Sequence, residues 1–249
     1  MPAASNPALN PIQTPKCRLD PINLHDSAQV TELLSQRVLC GWDSEHDVLL
    51  KWRDEQDQGS RHMFWVMRLV PSQDSSCHDS NSGDGSSTSL NREVEVEVRA
   101  GHIALTTPSP DLIPPSTIAV TTPNPSRANT LSVNSLFIHP SHRTHSLGRT
   151  AVSLIERAAC TLHPSTRYLT LTALSDRYLD DDGPEGRGIW ARIGWEVPGG
   201  SVRGWYERLG YVGWKEGVVY EVDVVEGVGK GGTVGLWEVF MWKGVGVEG

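Results

Sequence analysis

No stretch of the chain approaches the ~18 consecutive apolar residues that a bilayer-spanning helix requires, so a membrane role is not expected. The opening MPAASNPALNPIQ has neither a basic segment nor an apolar run, and so does not read as a secretory signal. Cysteine is scarce. Cys17, Cys40, Cys77 and Cys160 lie far apart with no CxxC pair, which argues against a zinc ligand set and against a disulfide framework. No Asn-x-Ser/Thr acceptor with an allowed middle residue occurs. Basic residues are the minority, 22 Lys+Arg against 30 Asp+Glu for a net charge of −8. That balance disfavours a nucleic-acid surface and mildly favours a cationic partner. The expectation is a soluble cytoplasmic protein, without metal and without nucleic-acid or membrane partners.

What is present is enough for a core. Hydrophobic residues make up 38% of 249, and at roughly 100–200 residues per domain the chain reads as a single domain over 16–249 with insertions. Residues 1–15, rich in Pro, Asn and Ala, read as a disordered tail. SQDSSCHDSNSGDGSSTSLN at 72–91 has almost nothing to bury, and PSPDLIPPSTIAVTTPNPSRAN at 108–129 is broken by prolines. Both are expected to be loose surface insertions, the second holding at most one short strand. Between them the elements are legible. CRLDPI at 17–22 is a strand, and AQVTELLSQRVLCGW after Asp26-Ser27 is a helix with Val30, Leu33, Leu34 and Val38 at helical spacing. Residues 43–56 form a second helix capped by Asp43 or Ser44. HMFWVMRLV at 62–70 is a strand, and in EVEVEVRAGHIAL at 93–105 the valines alternate strictly with the glutamates. LSVNSLFI at 131–138 is a strand, LGRTAVSLIERAACTL at 147–162 a helix, and RYLTLTAL at 167–174 a strand apolar on both faces, as a central strand is. A short helix over 202–210 ends at Gly210, and VVYEVDVV and WEVFMWK close the chain as strands. The order β-α-α-β-β-β-α-β-α-β-β predicts a mixed α/β fold with a largely antiparallel start and one βαβ unit.

The stretch that carries chemistry is LFIHPSHRTHSLGRTAVSLIERAA at 136–159. A strand ends at Ile138, Pro140 stops it, and a helix opens near Leu147. Helix entry leaves backbone N–H groups without partners and places the positive end of the helix dipole at the turn, which suits an anion. Arg143 and Arg149 flank the turn and add cationic donors for phosphate, while Ser146 and Gly148 are small enough to let a ligand approach the backbone.

Arg143-Thr144-His145-Ser146-Leu147-Gly148 resembles the [QR]-x-x-G-x-[GA] signature of the GNAT superfamily of N-acetyltransferases, with Ser146 where that family prefers Gly. GHIAL at 101–105 is similar to the family's third strand and WYERLGYV at 205–212 to its late FYxxLGF motif. The resemblance spans roughly residues 17–243. It implies the GNAT-like acyl-CoA N-acyltransferase fold, a central mostly antiparallel sheet of six to seven strands flanked by helices, with acetyl-CoA as co-substrate and an amine acceptor, a small molecule or a peptide. It further implies that Leu136, Phe137 and Ile138 offer backbone groups to the pantetheine arm. On the same grounds the amides of Arg143, Thr144, His145, Ser146, Leu147, Gly148 and Arg149 cradle the pyrophosphate. Tyr206 matches the tyrosine that protonates the departing thiolate. A phenol of pKa ~10 keeps its proton at pH 7, and a thiolate whose acid has pKa ~8.5 needs one as it leaves.

Two departures from the family pattern stand out. Gly199 occupies the place of an Asn that contacts CoA, with Ser201 a partial substitute, and Leu131-Ser132-Val133-Asn134 carries no carboxylate where some members have a glutamate base. Glu97 and His139 are the remaining candidate bases. Ser146, Gly199 and the missing strand carboxylate keep open a second reading, a catalytically silent CoA-binding sensor or scaffold; a transferase using another acyl-CoA on the same fold is a third. On the acceptor side, Asp180, Asp181 and Asp182 with Trp190 and Trp195 offer either a cation cage or a solvated loop whose tryptophans pack on the domain, the latter preferred. His139, His142 and His145 lie in an irregular loop without an accompanying Cys or carboxylate, so zinc is not expected.

Overall fold

The computed structural model describes residues 12–14, 17–71, 95–118, 124–225 and 232–246. Within them the elements are β1 (Ile12–Thr14), β2 (Cys17–Pro21), α1 (Ser27–Cys40), α2 (His46–Asp57), β3 (Arg61–Pro71), β4 (Glu95–Thr106), β5 (Thr130–Ile138), α3 (Leu147–Leu162), β6 (Tyr168–Leu174), α4 (Arg177–Asp180), α5 (Ile189–Ile193), α6 (Val202–Glu207), β7 (Val212–Asp223) and β8 (Thr233–Gly244). The fold is mixed α/β with a mostly antiparallel sheet. It has eight strands against the six to seven expected. The additional one is β1, which pairs antiparallel with β2 inside the stretch expected to be a tail. The 72–91 insertion lies outside the described residues. In 108–129 the described part holds one 3-10 turn, Pro110–Leu112, and no strand.

The chain divides into two compact units, one formed by 1–53, 63–103 and 136–154 and the other by 54–62, 104–135 and 155–249. The first runs its strands in the order β1-β2-β3-β4 and on to the end of β5. Helix α1 starts where the Asp26 carboxylate accepts from the amides of Ala28 and Gln29, and stops at Gly41, whose φ of +81° lets its N–H reach the Arg37 carbonyl at 2.9 Å. Leu33 and Leu49 turn the two helices inward, whereas Val38, expected on the apolar stripe, is 62% exposed. Val96 is 45% exposed as well, so strict alternation at the start of β4 does not mark a buried face. Farther along β4 the chain tightens. A Cβ on Gly101 would lie 2.1 Å from the Phe137 carbonyl oxygen, and the His139 amide donates to the Ala100 carbonyl at 2.8 Å. Only glycine permits that approach.

The second unit runs from the start of β5 through β6 and β8 to β7. The last strand in sequence is therefore interior, with β6 and β7 antiparallel on its two sides. β5 and β6 are parallel, but their ladder holds only Thr130↔Tyr168, Leu131↔Leu169 and Ser132↔Thr170. Past Ser132 the backbone groups of Val133, Asn134 and Ser135 leave that ladder. Ser135 is itself left-handed, with φ +52°, and interrupts the pleat. Paired residues of a ladder share a face. Thr170, Thr172 and Leu174 thus share one face of the sheet with Trp242, Phe240 and Glu238. The opposite face carries Lys243, which pairs with Glu156 of α3 at 2.8 Å.

Candidate functional site

The expected succession of strand, turn and helix is present, and residues 136–154 lie in the first unit. Leu136, Phe137 and Ile138 are the last three residues of β5, with Phe137 buried and the other two half-buried. Pro140–His145 forms a 3-10 helix rather than an irregular loop, capped by His139, whose Nδ1 accepts from the Ser141 amide at 3.3 Å. Arg143 donates through Nε to the Ile138 carbonyl at 3.0 Å. Ser146 then takes the left-handed conformation, φ +57° and ψ +15°, and α3 begins at the next residue.

The first α-helical hydrogen bond runs from the Thr150 amide to the Ser146 carbonyl at 3.1 Å, so the amides of Leu147, Gly148 and Arg149 precede the ladder. Amides inside a 3-10 helix are consumed by i→i+3 bonds. The donor set for an anion therefore narrows from the seven residues Arg143 to Arg149 toward the last three, with the Thr144 and His145 backbones inside the 3-10 helix. Leu147 is buried and anchors the helix start, Gly148 is half-buried, and Arg149 is exposed. Sixteen residues of α3 stand behind this end, enough for a full dipole contribution.

Tyr206 belongs to the second unit. The Ser201 hydroxyl starts α6 by accepting from the Gly204 amide at 2.6 Å and donates to Asp176 Oδ1 at 2.5 Å. Its proton and one of its two lone pairs are thus engaged, and Ser201 holds the start of the helix. Tyr206 is buried, edge-on to Trp205 at 4.7 Å and to Tyr211 at 5.7 Å. Burial pushes its phenol well above the ordinary value, and the Glu238 carboxylate adds to that shift.

The two candidate bases are otherwise engaged. Glu97 accepts two hydrogen bonds from the Arg18 guanidinium, one of them from Nη2 at 2.6 Å, in an exposed ion pair. His139 is the cap of the 3-10 helix, and His142 meets Arg68 Nη1 at 3.0 Å through Nδ1. In the acidic stretch Asp181 accepts from the Gly183 amide at 2.8 Å and Asp182 pairs with Arg187 at 3.4 Å. Trp190 is buried with its Nε1 donating to the Tyr178 carbonyl, and it stacks on Trp195 with ring centroids 6.5 Å apart. The solvated-loop reading fits these contacts better than a cage.

Sequence reasoning passed over two buried polar groups. In the first unit His102 is fully buried, with Nδ1 2.9 Å from Gln36 Oε1 and Nε2 3.3 Å from Arg37 Nη1. Burial, and next the Arg37 charge, hold it neutral, with a pKa lowered to about 3. The Nδ1–H therefore donates to Gln36 and Nε2 accepts from Arg37. In the second unit Glu238 is 6% exposed, its Oε2 has no hydrogen-bond partner among the described residues, and burial raises its pKa to about 7. WEVFMWK read as a plain closing strand, and nothing in the alternation marked its glutamate as buried.

No family model matches the chain, and no curated protein matches it. Solved structures do. One is described as an acetyltransferase of the GNAT family from Desulfovibrio desulfuricans, at 13% identity over 92% of this chain and 98% of that one, TM-score 0.46. A second is the aminoglycoside 6'-N-acetyltransferase from Enterococcus faecium, at 10% identity over 91% and 96%, TM-score 0.47. A third is the spermidine/spermine N-acetyltransferase from Vibrio cholerae, at 10% identity over 92% of each chain, TM-score 0.46. At such identities and scores the likeness decides neither substrate nor chemistry, which this chain's own residues must carry.

Proposed function

We propose that the protein is a GNAT-like acetyl-CoA-dependent N-acetyltransferase that passes an acetyl group directly to a primary amine. The observation that carries this reading is the opening of α3. Ser146 adopts the left-handed backbone that glycine adopts readily, so the departure from the [QR]-x-x-G-x-[GA] pattern leaves the turn's path open. The amides of Leu147, Gly148 and Arg149, the helix dipole and the Arg149 charge then form a donor set suited to a diphosphate. Upstream, β5 outruns its ladder with β6 after Ser132, which releases strand backbone groups of the kind a pantetheine amide pairs with.

Strand N–H groups of β5 polarise the thioester carbonyl and hold the developing oxyanion. Tyr206 donates its proton to the sulfur as the C–S bond breaks. Because its buried phenolate is costly, the phenol is refilled in the same step from the nitrogen that has just attacked. The acceptor is an amine, a small molecule or a peptide, which the net charge of −8 helps attract as a cation. The protein acts in the cytoplasm.

The test is acetyl-CoA-dependent release of free thiol over a panel of polyamines, aminoglycosides, arylalkylamines, amino acids and peptide N-termini. Amine-dependent release with at least one class is the expected result. Acetyl-CoA binding with no transfer to any of them leaves the sensor reading in its place, and turnover only with longer acyl-CoA donors changes the donor.

A further inference from the structure

His139, His142 and His145 do not suggest a metal, but two other histidines, which no sequence spacing connects, meet in the second unit. They are His62, the second residue of β3, and His163, the residue after α3. Their Nε2 atoms lie 3.4 Å apart across 101 positions of sequence. The ring centroids are 5.5 Å apart with the planes tilted by 59°, so each ring turns its Nε2 toward the other. A firm N–H hydrogen bond holds its heavy atoms about 2.9–3.0 Å apart. Two imidazole nitrogens bound tetrahedrally to one divalent cation at ~2.0–2.1 Å stand about 3.3–3.4 Å apart. The observed separation matches the second arrangement. The surroundings also suit a cation. Both side chains are half-buried, held by their neighbours yet reached from solvent. The His163 amide donates to the Ala159 carbonyl at 3.0 Å, and its carbonyl accepts from the Thr166 amide at 2.8 Å, which fixes the backbone under the ring. That residue stands at the C-terminal end of α3, the negative pole of the helix, which favours positive charge. Arg61, the cation next to His62, points to the other face of β3 and is paired with Glu55 at 2.7 Å.

We propose that His62 and His163 form a two-histidine site for a borderline divalent transition-metal cation of the zinc, nickel and copper class, which clips the start of β3 to the end of α3. Imidazole nitrogen selects these ions over magnesium and calcium, which take oxygen ligands. The ligating form is the neutral ring with its Nε2 lone pair free. In the metal-free pair one Nε2–H points at the other Nε2. On binding, that proton moves through solvent to Nδ1 of the same ring, so both rings stay neutral and no proton is released overall. Two metal–nitrogen bonds replace one long hydrogen bond. Among the described residues no cluster of three or more His, Cys, Asp or Glu is placed to hold a metal, so the remaining coordination positions here fall to water. The site is open, unlike a structural zinc site closed by four protein ligands. It shares no residue with the opening of α3, and it does not depend on the proposed transfer reaction.

The test uses the full chain, stripped of metal with a chelator, as wild type, His62→Gln, His163→Gln and the double variant. Zinc chloride titrated by calorimetry is expected to show one equivalent bound by the wild type, and each single variant is expected to bind it about tenfold or more weakly. With zinc at about ten times its dissociation constant, the wild-type melting temperature is expected to rise by about 3–5 °C and that of the double variant to stay in place. Copper(II) in place of zinc counts the ligands. Its electron paramagnetic resonance spectrum is expected to show coupling to two imidazole nitrogens in the wild type and to one in each single variant. If one single variant fails to fold, the other and the wild-type copper spectrum still decide. No binding by the wild type leaves a histidine–histidine hydrogen bond alone and overturns the site. Zinc bound equally by the wild type and the double variant, or a copper spectrum unchanged between them, is an adventitious ion only and also overturns it.

Discussion

Arg143 donates from Nε to the carbonyl of Ile138 at 3.0 Å, tying the 3-10 helix back to the last residue of β5. The bond fixes the angle at which the strand delivers the chain to the entry of α3. It also leaves the far end of the guanidinium beside the turn with its charge intact. Arg143 thus has two separable effects, one of position and one of charge. Arg143→Ala is expected to weaken acetyl-CoA binding about tenfold, and Arg143→Lys, which keeps the charge but not the planar fork, by an intermediate amount. Titration calorimetry on the three proteins measures both.

Ser146 is left-handed with φ +57°, a conformation that costs a residue bearing a Cβ about 1 kcal/mol or more. Glycine relieves that strain but adds entropy to the unfolded chain. Ser146→Gly is therefore expected to be stabilising by roughly 0.5 kcal/mol, a rise of about 1–2 °C in melting temperature for a chain of this size. Thermal unfolding checks the sign.

How much of this was legible from sequence differed from one element to the next. The bounds of helix α3 are legible, because Ala151, Val152, Ile155, Ala158 and Ala159 repeat at helical spacing and are buried. The 3-10 helix is not legible, because Pro140 and three histidines carry no periodic apolar signal. The burial of Glu238 is not legible, because burial in a strand depends on its neighbours. Sequence order puts β8 last and invites an edge position, where a glutamate between Trp237 and Val239 would face water. In the structure β8 lies between β6 and β7, and the same alternation then points that carboxylate inward. Val96 shows the converse, a valine in faultless alternation that remains 45% exposed.

The Glu238 carboxyl has its folded pKa raised from 4.5 to about 7, so its protonated form is the one the fold prefers. Its contribution to stability is complete below pH 4.5 and is lost as pH rises toward and through 7. At pH 8.5 the buried charge costs about 3 kcal/mol as an upper figure. Glu238→Gln, which keeps the shape without the charge, is expected to unfold at a higher urea concentration than the wild type at pH 8.5. The two midpoints should converge near pH 4.5.

Tyr206→Phe keeps the edge-on contacts with Trp205 and Tyr211 and removes only the hydroxyl. It is expected to lower kcat by about 100-fold with little change in acetyl-CoA affinity, the signature of a group that acts in the transition state. Steady-state kinetics on the best amine, paired with a binding titration, separates the two quantities.

The most direct measurement is a calorimetric titration of acetyl-CoA into the wild type and into Ser146→Asp. Aspartate tolerates the left-handed backbone and suits the start of a helix, so the variant folds, but its carboxylate occupies the place offered to a diphosphate. One-to-one binding by the wild type, lost or weakened more than tenfold in Ser146→Asp, is the expected result. No binding by the wild type, or equal binding by both proteins, contradicts an acyl-CoA site at the opening of α3.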